Sequence, residues 1–228
     1  MADLNYIAED ELNQDLLAAA LDYARSGLLV FPAPRGTKMS YKSARWSGGR
    51  RWGATRDEAE IRHDWTRWPQ ANVGIATGAE SGIFVVEVDT PAGHQVDGFA
   101  AMVALESKHG PLPLTRMARS PSGSVHRYWV YPPGWIIRND VGTKLGPGID
   151  VRGDGGMVIA PPSKRDDGQY VWLNEENIAN APHWLLRLVV DRPRPPRQAS
   201  VTRTNGSMPP GLVETLLATI DPDIGYLT

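Results

Sequence analysis

The sequence predicts an α+β domain built on a mostly antiparallel sheet, and three observations carry that prediction. Several short apolar runs are strand-like. Helical stretches fall among and after them rather than alternating regularly with them. Gly, Pro, Asn and Ser punctuate the gaps. A length of 228 residues, 41% hydrophobic and 22% charged, supports one domain of ordinary to large size plus a tail.

In chain order, Asn13 to Arg25 reads as an amphipathic helix, with Leu16, Leu17, Ala20 and Tyr23 at helical spacing. Gly27 breaks it, and Leu28 to Phe31 is a short apolar strand. Pro32 to Gly53 is loop-like, rich in Gly, Ser, Lys and Arg. Thr55 and Glu58 have capping-box spacing, which predicts a helix from there to about Trp65, with Pro69 closing the region. Strands are then expected at Asn72 to Ala76, Ile83 to Asp89, Thr115 to Arg119, Val125 to Tyr131, Ile149 to Arg152, Met157 to Ala160 and Tyr170 to Leu173. Helices are expected at Phe99 to His109 and at His183 to Val190. Residues 1–190 thus form one domain. Residues 191–211, with Arg-Pro-Arg-Pro-Pro-Arg and then Ser, Thr, Asn, Gly and Pro-Pro, read as a linker. Residues 212–228 offer one short helix, Leu212 to Ile220, that cannot bury its apolar face alone. The expectation is the truncated start of a second domain.

Composition excludes several classes. With no cysteine, disulfide frameworks, zinc ribbons and thiol catalysis are out. No apolar run approaches the roughly 18 residues of a membrane span, and the acidic N-terminus carries no signal-peptide core. A cytoplasmic protein without a membrane partner is expected. A net charge of −2 argues against non-specific coating of nucleic acid. Locally, however, Arg35, Lys38, Lys42, Arg45, Arg50, Arg51 and Arg56 cluster around Tyr41, Trp46 and Trp52 with no acid between them. Such a stretch can track a phosphate backbone, with Lys38, Arg45, Arg50 and Arg51 as the candidate DNA contacts. A solvated basic loop is the plainer alternative.

The chemistry centres on acids. Residues two apart on a strand share a face, so Glu87 and Asp89 project together from the end of an apolar strand. Two carboxylates roughly 7 Å apart beside a core favour a cation between them, and paired divalent ions are the usual arrangement in polymerases. A solvated strand end is the alternative. Asp150 lies in a β-branched run that leads into a glycine turn, Gly153 to Gly156, and is a candidate third ligand. Arg152 shares its face and could reach a phosphate. The glycines suit either close approach of a ligand or a hairpin. Ser124 and His126 follow a Ser/Gly turn that can donate to phosphate oxygens, with Tyr128 on the same face and Arg127 on the other. The alternative for His126 is a structural histidine. His63, His94, His109 and His183 show no metal-ligand spacing. No P-loop and no Gly-x-Ser-x-Gly elbow is present.

The order Glu87-x-Asp89, Ser124-x-His126 and Asp150 resembles the three motifs of the archaeo-eukaryotic primase superfamily. The flanking segments are similar to the bifunctional DNA primase/polymerase N-terminal domain (prim-pol) of plasmid, phage and other mobile-element replication proteins. They are Phe31-Pro32 with Gly36-Thr37-Lys38, Trp52 to Thr55, Pro69 to Gly78, Pro121 to Gly123, and Ile149 to Gly156 running on to Ala160-Pro161-Pro162-Ser163. The likeness spans roughly Asn13 to Val189.

That resemblance implies a primase core with an RRM-like catalytic sheet and an N-terminal αβ unit. It implies two Mg²⁺ or Mn²⁺ ions on Glu87, Asp89 and Asp150, with Ser124 and His126 on the incoming NTP or dNTP. Single-stranded DNA template and primer are the implied partners. Residues 212–226 resemble the opening of the helical primase C-terminal domain, beyond which a helicase often follows. Primer extension is expected more than initiation, which that helical domain assists. Glu87 departs from the family pattern, where Asp is commoner, and its extra methylene bears on the choice between Mg²⁺ and Mn²⁺. Two other classes remain open: a catalytically idle module that binds single strands, and a metal-dependent nuclease.

Overall fold

The computed structural model describes residues 15–42, 45 and 47–193, all within the compact unit Met1–Pro195. Helix α1 covers residues 15–25, and its Leu16, Ala20, Leu21 and Ala24 are buried. After it come β1 (Leu29–Ala33), a 3-10 turn (Arg51–Gly53), α2 (Glu58–Arg67), β2 (Asn72–Ala76) and β3 (Ile83–Val88). The short helix α3 (Pro91–His94) and the longer α4 (Gly98–His109) lead to β4 (Met117–Arg119) and β5 (Val125–Val130). The remainder is β6 (Trp135–Ile137), β7 (Asp140–Val141), β8 (Ile149–Arg152), β9 (Met157–Ala160), β10 (Lys164–Arg165), β11 (Gly168–Gln169), β12 (Val171–Trp172), β13 (Ala179–Asn180), α5 (His183–Val189) and β14 (Val190–Pro193).

The architecture is α+β, with largely antiparallel sheets. One sheet has the order β1-β2-β9. The larger runs β12-β4-β5-β3-β8-β7, and β13 adds to β5 as its one parallel pairing. Central strand β3 is buried along its whole length because both faces of the sheet are covered. Phe84, Val86 and Val88 meet Trp129, Ile149, Val151, Met102 of α4 and Leu185 of α5. Ile83 and Val85, on the opposite face, join Tyr128, Val30, Val73, Ile75, Val158 and the apolar stripe of α1. Glu87 is next in that second row. The outer face of the small sheet carries Phe31, Met157 and Ile159, over which Trp52 stacks on Phe31 at 5.6 Å.

The strands expected at Asn72–Ala76, Ile149–Arg152 and Met157–Ala160 occur with those bounds. The capping box does not form. Asp57 caps α2, its carboxylate accepting from the Glu60 N–H at 2.8 Å. Thr55 instead pairs with Val30 in a β-bridge, and its hydroxyl accepts from the Asp57 N–H. That bridge holds Thr55 in the extended state, so the helix starts after it. Strand β14 covers the first residues of the stretch read as a linker, and its remainder and the helix expected after it lie outside the described residues. No helix among the described residues is long and apolar enough to cross a membrane.

Candidate active site

Two strand ladders assemble the site on β3. Glu87 stands opposite His126 of β5 on one side and Asp150 of β8 on the other. Paired residues of antiparallel strands share a face, which brings their side chains within about 5 Å at the β-carbons. Asp89 follows one residue past β3. Its N–H donates to the Gly148 carbonyl at 2.8 Å, and its own carbonyl accepts from the Gly98 N–H at 3.0 Å. That crossing requires glycine at Gly98, since a β-carbon there would collide with the Gly148 carbonyl oxygen. The first turn of α4 is thereby pinned under the carboxylates.

All four side chains are buried, with exposures of 3% for Glu87, 7% for Asp89, 8% for Asp150 and 4% for His126. Arg152 neutralises two of the acids. Its Nη2 lies 2.5 Å from Glu87 Oε2 and 2.7 Å from Asp150 Oδ2, and its Nε donates to Glu87 Oε2 at 2.7 Å. Lys38, on the connection after β1, reaches to within 3.9 Å of Glu87 Oε2. His126 Nε2 is 3.4 Å from Glu87 Oε1, while its Nδ1 is buried without a hydrogen-bond partner. Asp89 turns elsewhere: the Ser124 hydroxyl donates to its Oδ1 at 2.9 Å, and His94 Nε2 lies 3.4 Å from the same oxygen.

The electrostatics follow from burial and these partners. Burial pushes Glu87 up, but the positive field of His126, Lys38 and Arg152 outweighs it and holds the carboxyl below its usual range. Burial pushes His126 itself down, with Glu87 pulling the other way. Asp150 is pushed up, first by burial, with Arg152 opposing and Glu87 and Asp89 adding to it.

The sequence-expected residues Glu87, Asp150, His126 and Arg152 are thus brought together, with Ser124 linked to them through Asp89. Among the described residues, no group of three or more acid or histidine side chains converges as a metal centre. Arg152 lies between two of the acids, and the third is engaged by Ser124 and His94. The donor set itself, three carboxylates at adjacent strand ends, fits a hard divalent cation in type.

The basic stretch divides. Lys38 joins the site, Arg45 is exposed, and Arg51 lies over the Trp52 ring at 5.6 Å. Arg50 pairs with Glu60 at 2.5 Å, Lys42 with Glu60 and Asp64, and Arg56 with the carbonyls of Gly27 and Glu80. Three of these cations therefore serve the fold. The glycine turn after β8 is likewise packed by its own chain. Gly153 N–H donates to Asn139, and the Gly153 carbonyl accepts from the Thr77 hydroxyl.

Three site residues were missed in the sequence. His94 rides on α3, for which Pro91 after Thr90 was an available start signal. Thr90 donates to the Ser122 carbonyl at 2.7 Å and fixes the Ser/Gly turn. Tyr170, its ring 6.1 Å from that of His126, had no local signal.

Residues 20–184 match the family model described as bifunctional DNA primase/polymerase, N-terminal. No curated protein matches the chain.

Proposed function

Because the chain belongs to the bifunctional DNA primase/polymerase N-terminal family, we propose that it is a template-dependent nucleotidyltransferase of a plasmid, phage or other mobile-element replication system. Its substrates on this reading are a primer annealed to single-stranded DNA and an NTP or dNTP. The observation that carries it is the burial of Glu87, Asp89 and Asp150 at adjacent strand ends within a primase/polymerase family. The strand order β4-β5-β3-β8, with α4 crossing between β3 and β4, supports an RRM-like catalytic sheet.

In the reaction, the primer 3′-hydroxyl gives up its proton to water, its oxygen forms a bond to the α-phosphorus, the bond to the bridging oxygen breaks, and pyrophosphate leaves with that electron pair. Glu87, Asp89 and Asp150 are the residues that would hold Mg²⁺ or Mn²⁺. Bound there, the ions supply charge neutralisation of the triphosphate and acidification of the primer hydroxyl. Lys38, exposed at the edge of the site, is placed to pair with the outer phosphates. Ser124 orients Asp89 through its hydroxyl. His126, whose Nε2 lies 3.4 Å from Glu87 Oε1, is the proposed side-chain contact for the incoming nucleotide.

The test is primer extension on a single-stranded template with Mg²⁺ or Mn²⁺, run beside Asp89→Asn and Asp150→Asn. Template-directed product that falls more than about 100-fold in both variants, with unchanged melting, is the expected result. Full activity in both variants sinks the assignment. One observation favours a second reading, an idle module that binds single strands: Arg152 already bridges Glu87 and Asp150. Strand binding with no turnover in either metal would support it.

A further inference from the structure

Away from the carboxylates, the connection between β1 and α2 presents one aromatic ring with unusual firmness. The Tyr41 N–H donates to the Pro32 carbonyl at 3.0 Å. Its neighbour Ser40 donates to the Trp52 carbonyl at 2.7 Å and accepts from the Lys42 N–H at 3.0 Å. Lys42 then runs into α2, with Nζ 2.5 Å from Glu60 Oε1 and 2.7 Å from Asp64 Oδ2, and its side chain is only 9% exposed. Three consecutive residues are therefore bolted to the fold.

The ring they carry is half in solvent. Tyr41 stacks on Trp68, with centroids 5.1 Å apart and planes 5° from parallel, yet it is 44% exposed. Trp68 covers one face of the tyrosine and is itself backed by the core between the sheets. The Arg67 guanidinium lies 4.8 Å over the Trp68 ring. Concavities of about 630 Å³ and about 430 Å³ adjoin this stack. The larger is lined by Tyr41, Lys42, Glu60, His63, Asp64, Arg67 and Trp68. Its two acids are matched by Lys42 and, at Glu60, also by Arg50. A rigid, half-exposed ring beside an arginine is what sequence-independent recognition of an unpaired base requires, because every base has a π-face. Preorganisation lowers the entropic cost of such a contact.

We propose that Tyr41, backed by Trp68 and flanked by Arg67, is a stacking platform for an unpaired base of single-stranded DNA. Lys38, three residues earlier, is at most about 10 Å of extended chain away and touches the carboxylate site. Resting on the polymerase reading, the strand held is the template close to the reacting centre.

The test uses the full chain and a fluorescein-labelled oligo-dT of about 15 nucleotides, followed by anisotropy. Tyr41→Ala is expected to weaken binding about tenfold, within the range of one stacked base. Tyr41→Trp is expected to stay within about twofold of the wild type, as stacking demands and a purely structural role does not. A 5-iodouracil oligonucleotide, photo-crosslinked to the unmutated chain, is expected to form its adduct at Tyr41. Equal affinity in Tyr41→Ala, or adducts only elsewhere, overturns the platform, and the surface then suits a protein partner. Extension by the wild type judges the wider reading separately. Extension with unaltered affinity in Tyr41→Ala sinks the platform alone. Tyrosine-dependent binding without extension keeps the platform and sinks the assignment of that strand as template.

Discussion

Two acidic clusters in this fold use the same side-chain types and differ in their balance. On α2, Glu60 and Asp64 sit one turn apart and meet two cations, Lys42 and Arg50, both from the connection before the helix. At the ends of β3 and β8 lie three buried acids: Glu87 and Asp150 share Arg152 in direct contact, with Lys38 further off from Glu87 at 3.9 Å, while Asp89 meets Ser124 and His94. The first cluster is closed, with acid matched by base. The second has three buried acids against one arginine and a more distant lysine, and ionising all three together is unfavourable without a further cation. Charge balance separates a staple from a candidate active site more sharply than residue type does.

Breaking the staple is the larger test. Lys42→Met keeps the aliphatic stem and removes the ammonium, leaving Glu60 and Asp64 with one partner fewer. Chemical denaturation is expected to show a loss of about 3 kcal/mol. Lys38→Met, whose side chain is 55% exposed, is expected to change stability by less than about 0.5 kcal/mol. On the proposed function, its effect is expected in the KM for the nucleotide. Equal destabilisation by the two variants would erase the distinction between the clusters.

A second test asks whether Arg152 stands where a divalent ion would. Arg152→Gln removes the guanidinium bridging Glu87 and Asp150. Without that internal competitor, Mn²⁺ is expected to bind about tenfold more tightly by calorimetry, and the metal-free protein is expected to melt lower. Unchanged or weaker Mn²⁺ binding would mean that arginine and ion do not compete, and that the acid excess has another purpose.

The same contrast shows what could be read from the chain. Strands β2, β8 and β9 were legible because runs such as Asn72–Ala76 combine β-branched residues with glycine or proline boundaries. Two-residue strands such as β10 to β13 carry too little pattern to detect. Glu87 and Asp89 announced themselves as acids on an apolar strand, and the resemblance linked them to Asp150. The contact of Arg152 with both Glu87 and Asp150 was not legible, because it depends on the register between β3 and β8. The sequence offers Arg50 as a DNA contact, and Lys42 as part of the same basic stretch, because their acidic partners lie on a separate helix, outside any local window. Tyr41 was legible as an aromatic in a basic loop, and its stacking on Trp68 was not.

A last expected effect is acid sensitivity of the staple. Burial raises the Glu60 carboxyl, but hydrogen bonds from Arg50, Lys42 and Thr55 outweigh it and hold the group at about 2, against an ordinary 4.5. Its contribution to stability is therefore fully present above about pH 4.5 and is lost as pH falls through about 2. At full value that gap corresponds to about 3 kcal/mol. Solvent screening at this edge-of-cluster side chain reduces the expectation to about 1 to 2 kcal/mol. Asp64, pushed up by burial against the pull of Lys42, works in the opposite sense and blunts the whole-protein slope. The informative quantity is thus the difference between wild type and Glu60→Gln. Urea unfolding from pH 6 down to pH 2.5 is expected to bring the two stabilities together, because only the wild type loses an ionised Glu60. Parallel profiles would show that Lys42 is held by Asp64 alone.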